Sequence, residues 1–137
     1  TYVSEFSDEE PLDVSPGTES QIAQTLVVEI RKQASTGPTK MICVGRAANN
    51  DIVLANNTVS KLHSYFLVSE KGDSYEIVDA NSTNGTLVNN NRLVAYKNQP
   101  LANRDHIHFG PSIQMVYLTS EGLYEILQQL QRSGFTP

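Results

Sequence analysis

Three short segments hold the residue types best suited to chemistry: Gly45-Arg46, Ser60-x-x-His63, and the run Asn81-Ser82-Thr83-Asn84-Gly85-Thr86-x-x-Asn89. Arginine is a permanent cation whose planar fork donates two hydrogen bonds to a phosphate. Serine and threonine hydroxyls add neutral donors, and an asparagine amide both donates and accepts, as a peptide backbone does. A phosphate monoester brings roughly two negative charges and three acceptor oxygens. One cation with several neutral donors on a loop surface suits that group. Each segment alone is common; all three in this order, between short strands, are not.

The elements that must position these loops are strands. Leu26–Ile30, Lys40–Val44, Asp51–Leu54, Ser64–Glu70, Tyr75–Asp79, Thr86–Val88, His106–Phe109 and Ile113–Leu118 read as short strands. Ser64–Glu70 alternates with a period of two. Ser35-Thr36-Gly37-Pro38, Lys71-Gly72-Asp73 and Asn89-Asn90-Asn91 supply turn chemistry between them, asparagine tolerating positive φ. Many short strands at close spacing predict an all-β sandwich or barrel. Ser120–Arg132 breaks the pattern: Leu123, Tyr124, Ile126, Leu127 and Leu130 follow helical spacing, with Ser120 as a cap and Gly134 past the end. Leu123, Leu127 and Leu130 are expected to pack on the sandwich.

Length and charge narrow the function classes. The 137 residues predict one domain. No window approaches the ~18 apolar residues of a membrane span, and no leader is expected. The net charge of −5 is uneven. Residues 1–21 hold six acids (Glu5, Asp8, Glu9, Glu10, Asp13, Glu19) and no lysine or arginine, while the rest holds nine acids and ten bases. Without a basic footprint, nucleic acid is not an expected partner. The segment Thr1–Gln21, with Pro11, Pro16 and Gly17, is expected to be a disordered acidic tail. The division is then a tail at 1–21, a domain at 22–119, and a C-terminal helix and tail at 120–137.

Other chemistry is less well supported. His63 lies three residues after Ser60, but no acid or oxyanion-hole motif accompanies the pair, so no enzyme is expected. His106-x-His108 puts two imidazoles on one strand face, and nothing supplies a third metal ligand; no metal or cofactor is expected. Cys43 sits in the apolar run Met41-Ile42-Cys43-Val44 and reads as a small buried hydrophobe.

The ordered motifs resemble those of the forkhead-associated (FHA) domain family. The resemblance runs through Val44-Gly45-Arg46-x-x-x-Asn49-Asn50-Asp51-Ile52-Val53-Leu54, Val59-Ser60-x-x-His63-Ser64, and Asp79-x-x-Ser82-Thr83-Asn84-Gly85-Thr86, then to Leu101, Asp105, Ile107 and Gly110. It covers about Thr25 to Leu118. It implies an FHA-type β-sandwich of short, mostly antiparallel strands that recognises phosphothreonine peptides in Ser/Thr-kinase signalling. It assigns Arg46 and Ser60 to the phosphate, Thr83 to the peptide and the threonine methyl pocket, and Asn84 to the peptide main chain. Lys61 stands where members often carry asparagine or arginine, and its ammonium would add a phosphate contact. Gly45 would let its loop turn, Gly85 belongs to the motif, and His63 would tie loops together. Thr58 stands where acid-selective members place arginine, so weak or apolar selectivity is expected three residues after the phosphothreonine.

Two further expectations follow. Of the sequons at Asn56, Asn81 and Asn84, two would put a glycan on the binding loop, which argues against a glycosylating secretory route and for the cytoplasm. The tail contains Thr18; some members carry an N-terminal threonine whose phosphorylation folds the tail onto the domain's own site. The competing expectation is an FHA-fold scaffold that binds partners through a sheet face or the C-terminal helix, without phosphate.

Overall fold

The computed structural model describes residues 2–6, 26–32, 40–69 and 74–132. Within them run β1 (Tyr2–Phe6), β2 (Leu26–Glu29), β3 (Met41–Gly45), β4 (Ile52–Val53), β5 (Ser64–Val68), β6 (Tyr75–Asp79), β7 (Thr86–Val88), β8 (Asn91–Arg92), β9 (Gln99–Pro100), β10 (His106–Phe109), β11 (Ile113–Leu118) and the helix α1 (Ser120–Arg132). One sheet has the order β2-β1-β11-β10-β7-β8 and the other β4-β3-β5-β6-β9. The pairings are antiparallel except β3 with β4, which is parallel.

Period-two alternation explains the core. Ile42 and Val44 on β3, Phe66 on β5 and Ile77 on β6 are buried, as are Val88, Ile107, Phe109, Ile113, Met115 and Tyr117 from the facing sheet. Each large side chain so buried contributes ~1.5–3 kcal/mol. All six residues of β11 are buried, because α1 covers its outer face: Val116 and Leu118 form a second cluster with Ile126, Leu130 and the half-buried Leu123. Leu127 stays exposed, so the expected apolar stripe packs through two of its three leucines. The helix is capped by Thr119, one residue before the expected Ser120: its Oγ1 accepts from Gly122 N at 3.0 Å.

The N-terminal expectation needs correction. Residues 2–6 are not part of a disordered tail but form β1, inside a sheet between β2 and β11, with Tyr2 opposite Leu118 and Glu29. Tyr2-Val3-Ser4-Glu5-Phe6 is rich in strand-favouring types, and strands on both sides satisfy its backbone. Averaging composition over 21 residues diluted this five-residue signal. The rest of that segment, Thr18 included, and Gly134 lie outside the described residues.

One end of the sandwich collects the loops β3–β4, β4–β5, β6–β7 and β10–β11. Backbone hydrogen bonds lace them together: Arg46 N to Ser60 O at 2.9 Å, Ala47 N to Lys61 O at 3.2 Å, Ala80 N to His63 O at 3.0 Å, and Gly110 N to Gly85 O at 2.9 Å. This rigid end carries the three motif segments.

Candidate functional site

Gly45 ends β3 where the β4–β5 loop crosses. A Cβ there would strike the carbonyl of Lys61 and lie 2.9 Å from Asn50 Nδ2. Its φ is not positive, so the residue serves close approach of two backbones rather than the turn expected of it. Asn50, only 8% exposed, donates from Nδ2 to Lys61 O at 2.6 Å and to Ala47 O at 2.9 Å. Lys61 is thereby fixed through its carbonyl while its side chain stays exposed.

His63 joins the other two loops. Ser60 N donates to its Nδ1 at 3.1 Å, and Nε2 lies 2.8 Å from Gly85 O. Since Nδ1 accepts, Nε2 must carry the proton and donate to the carbonyl. The ring is therefore neutral, and burial lowers its pKa below the usual value, outweighing the Gly85 carbonyl and the Asp79 charge, which act the other way. With 0% exposure and an edge contact to Phe109, this imidazole ties loops and faces no solvent.

Beneath the β6–β7 loop, the Asp79 carboxylate accepts from Ser82 Oγ and Thr86 Oγ1, each at 2.6 Å, and from Ser82 N at 3.2 Å. Ser82 Oγ accepts in turn from Gly85 N at 3.0 Å. Because Thr86 spends its proton on Asp79, Ser64 Oγ is the donor in the 2.7 Å contact between their hydroxyls. Asn81, at φ 59, and Gly85, at φ 87, give the loop its left-handed corners.

On this frame stand the remaining motif side chains. Arg46 Nε donates to Val59 O at 3.0 Å. That bond anchors the inner edge of an exposed guanidinium, and its terminal amino groups have no hydrogen-bond partner among the described residues. Ser60 Oγ accepts from Thr83 N at 3.0 Å, which leaves the serine proton to donate. Thr83 is exposed, with its backbone N–H spent on Ser60. Asn84 Nδ2 donates to Thr58 O at 2.8 Å, which holds the amide at the rim with its Oδ1 and second N–H available. Arg46, Ser60 and Thr83 are thus linked through the β4–β5 loop; Lys61 is the next residue along it and Asn84 the next after Thr83. The arrangement can present one guanidinium, one hydroxyl and one amide to an oxyanion on an extended chain.

Asn50 and Asp79 position the site, yet in the sequence they were only letters of a motif. The Asn49-Asn50-Asp51 run just after Gly45-Arg46, and an acid three residues before a serine, were the available signals. Cys43 is half-buried rather than fully buried; burial pushes its thiol up, with the nearby Lys32 opposing and Asp51 reinforcing, which disfavours thiolate. His106 and His108 do share the outer face of β10, with Ile107 and Phe109 in the core. His108 Nδ1 is buried without a partner among the described residues.

Known proteins resemble the chain in the same places. Residues 42–110 match the model of the FHA domain family. The chain is 31% identical over 112 residues to an oxoglutarate dehydrogenase inhibitor of Corynebacterium jeikeium, covering 77% of this chain and 74% of that protein. It is 36% identical over 75 residues to the glycogen accumulation regulator GarA of Mycolicibacterium smegmatis, covering 55% of this chain and 44% of that one. Among solved structures, the MEK1 FHA domain in complex with a HOP1 phosphothreonine peptide superposes with a TM-score of 0.56 at 21% identity, covering 86% of this chain and 96% of that one. A likeness at that identity speaks for the fold alone; together with the family match and the inhibitor, it places the chain in the FHA domain family.

Proposed function

We propose that the chain is a phosphothreonine-peptide recognition module that mediates phosphorylation-dependent protein–protein interaction in Ser/Thr-kinase signalling, and that it is not an enzyme. The observation that carries this reading is the Arg46–Ser60–Thr83 cluster: a guanidinium held, among the described residues, only by its Nε, beside a hydroxyl whose proton is uncommitted among them. Arg46 and Ser60 hold the phosphate, Lys61 adds charge, Thr83 and Asn84 hold the peptide. The relatives point the same way, since one is named an inhibitor and the other a regulator, and the MEK1 domain holds a phosphothreonine peptide. Thr58, neutral and bonded through its hydroxyl to Asn56 at 2.6 Å, leaves the third position after the phosphothreonine without a charge to select for. Ligands of this kind are made in the cytoplasm, where the module would act. Calorimetry with matched phosphorylated and unphosphorylated threonine peptides tests the reading. At least a tenfold loss is expected without the phosphate and again on Arg46→Ala, since charge-assisted bonds of ~1.5–3 kcal/mol are at stake. Equal binding throughout would favour a phosphate-independent scaffold.

A second reading concerns the chain's own Thr18. β1 ends at Phe6, opposite Gln114, and β2 begins at Leu26, opposite Glu5. Both ends of the connecting segment therefore leave the sheet at the loop end that carries the site. The twelve residues from Phe6 to Thr18 span up to ~40 Å, against three strand spacings of ~5 Å each from β1 to β7, whose preceding loop carries Thr83 and Asn84. Phosphorylated Thr18 would meet the site at an effective concentration on the order of millimolar. Chain phosphorylated at Thr18 should then bind an external phosphopeptide less tightly than unmodified chain; equal affinity overturns this reading.

A further inference from the structure

We propose that Arg92 is a specificity-determining residue that selects an acidic side chain on the bound peptide, an inference that rests on the phosphothreonine reading. Arg92 lies on β8, opposite Leu87 of β7, at the edge of its sheet. Its side chain runs along the outer face of β7 to the β6–β7 loop. There the guanidinium packs on Gly85: a Cβ at that residue would sit 2.8 Å from Arg92 Cζ, 2.9 Å from Nε and 3.1 Å from Nη2. Gly85, held at φ 87, is thus the gap that admits a flat cation against the loop. The next residue back, Asn84, turns its amide toward Thr58 on the other side.

The two guanidinium groups consequently flank one loop. Arg46 stands with Ser60 and Thr83 on the β4–β5 side, and Arg92 stands on the β8 side. Arg46 and Lys61 are taken by the phosphate in the reading above. Arg92 is exposed and has no hydrogen bond or ion pair among the described residues. The acids near this end are engaged: Asp79 is buried under its three donors and Asp51 pairs with Lys32 at 3.1 Å. A peptide anchored by its phosphate and drawn across Asn84 extends toward an uncompensated planar fork, the group best shaped for a carboxylate. Packing against Gly85 removes part of the ordering cost such a long side chain would otherwise incur on binding.

The test is fluorescence anisotropy with a phosphothreonine peptide in an otherwise alanine background, aspartate being walked through each flanking position. Wild type, Arg92→Gln and Arg92→Lys are compared at low and high salt. The expected result is one position at which aspartate raises wild-type affinity about 2- to 5-fold, as an exposed carboxylate–arginine contact does. That gain should vanish in Arg92→Gln, return in part in Arg92→Lys, and shrink at high salt. An unchanged aspartate profile in Arg92→Gln, or an equal loss for every peptide, overturns the role of Arg92 while phosphate dependence survives. Binding of the unphosphorylated alanine peptide as tight as that of its phosphorylated form overturns the underlying reading, and this proposal with it.

Discussion

Thr83 donates its backbone N–H to the Ser60 hydroxyl oxygen at 3.0 Å, across 23 positions of sequence. That bond orients Ser60 so that its oxygen is occupied and its proton is free, and it locks the β6–β7 loop to the β4–β5 loop beside Arg46. Ser60→Ala removes both the donor and the lock. We expect phosphopeptide affinity to fall about 10-fold or more, with thermal stability little changed because the residue is half-exposed. Isothermal titration calorimetry beside a melting curve separates the two effects; a variant that binds as tightly as wild type would remove Ser60 from the site.

The His63 ring gives the fold a pH dependence of known sign. Its folded pKa lies below the ordinary 6.5, first because of burial. Between the folded and unfolded values the unfolded chain binds more protons, so stability is full above about pH 6.5 and declines as pH falls toward the folded pKa. His108 is shifted in the same direction, by burial and then by His106. Urea unfolding of wild type from pH 7.5 to 5.5 should show this decline. His63→Gln should lower stability at pH 7.5 and flatten the slope, leaving the part due to His108. An unaltered slope in the variant would contradict the assignment.

Replacing Gly45 by alanine forces a methyl onto the Lys61 carbonyl and the Asn50 amide. Overpacking of this kind costs about 1–3 kcal/mol. The strain falls on the peptide unit that carries Lys61, directly after Ser60. Gly45→Ala should therefore lose both stability in chemical denaturation and affinity for a phosphopeptide. A stable variant with intact binding would show that the two loops do not need this close approach.

Asp79 gathers three donors at 4% exposure. Asp79→Ala strands Ser82 and Thr86 in a buried setting, at a cost of ~3 kcal/mol or more. The destabilisation should exceed that of Ser60→Ala in urea titrations, although Asp79 touches no ligand. Similar midpoints for the two variants would mean that the network under the loop matters less than its geometry suggests.

Much of the fold could be read locally. The alternation in Ser64–Val68 and His106–Phe109, and the helical spacing of Ser120–Arg132, appear within a few residues because burial on one face imposes a period. The motifs of the proposed site were legible for a related reason: a phosphate would need a cation and hydroxyls, and few residue types supply them. Asn81, Asn89 and Asn90 are all found at positive φ, since their short amides tolerate it.

Other features depended on contacts between distant residues. β1 could not be recognised without the strands that flank it, because five residues hydrogen-bonded on both edges look like any short apolar run. The two-residue strands β8 and β9 are pairings, not patterns. Gly45 has an ordinary reason to be a loop glycine until the Lys61 carbonyl, 16 positions on, is seen against it. Arg92 carried no signal at all, being one exposed base in a turn-rich stretch. Composition, period and residue chemistry are local properties and survive in a linear chain. Close approach, backbone pairing and the direction in which a fixed side chain points come into being only when segments far apart in sequence are packed together.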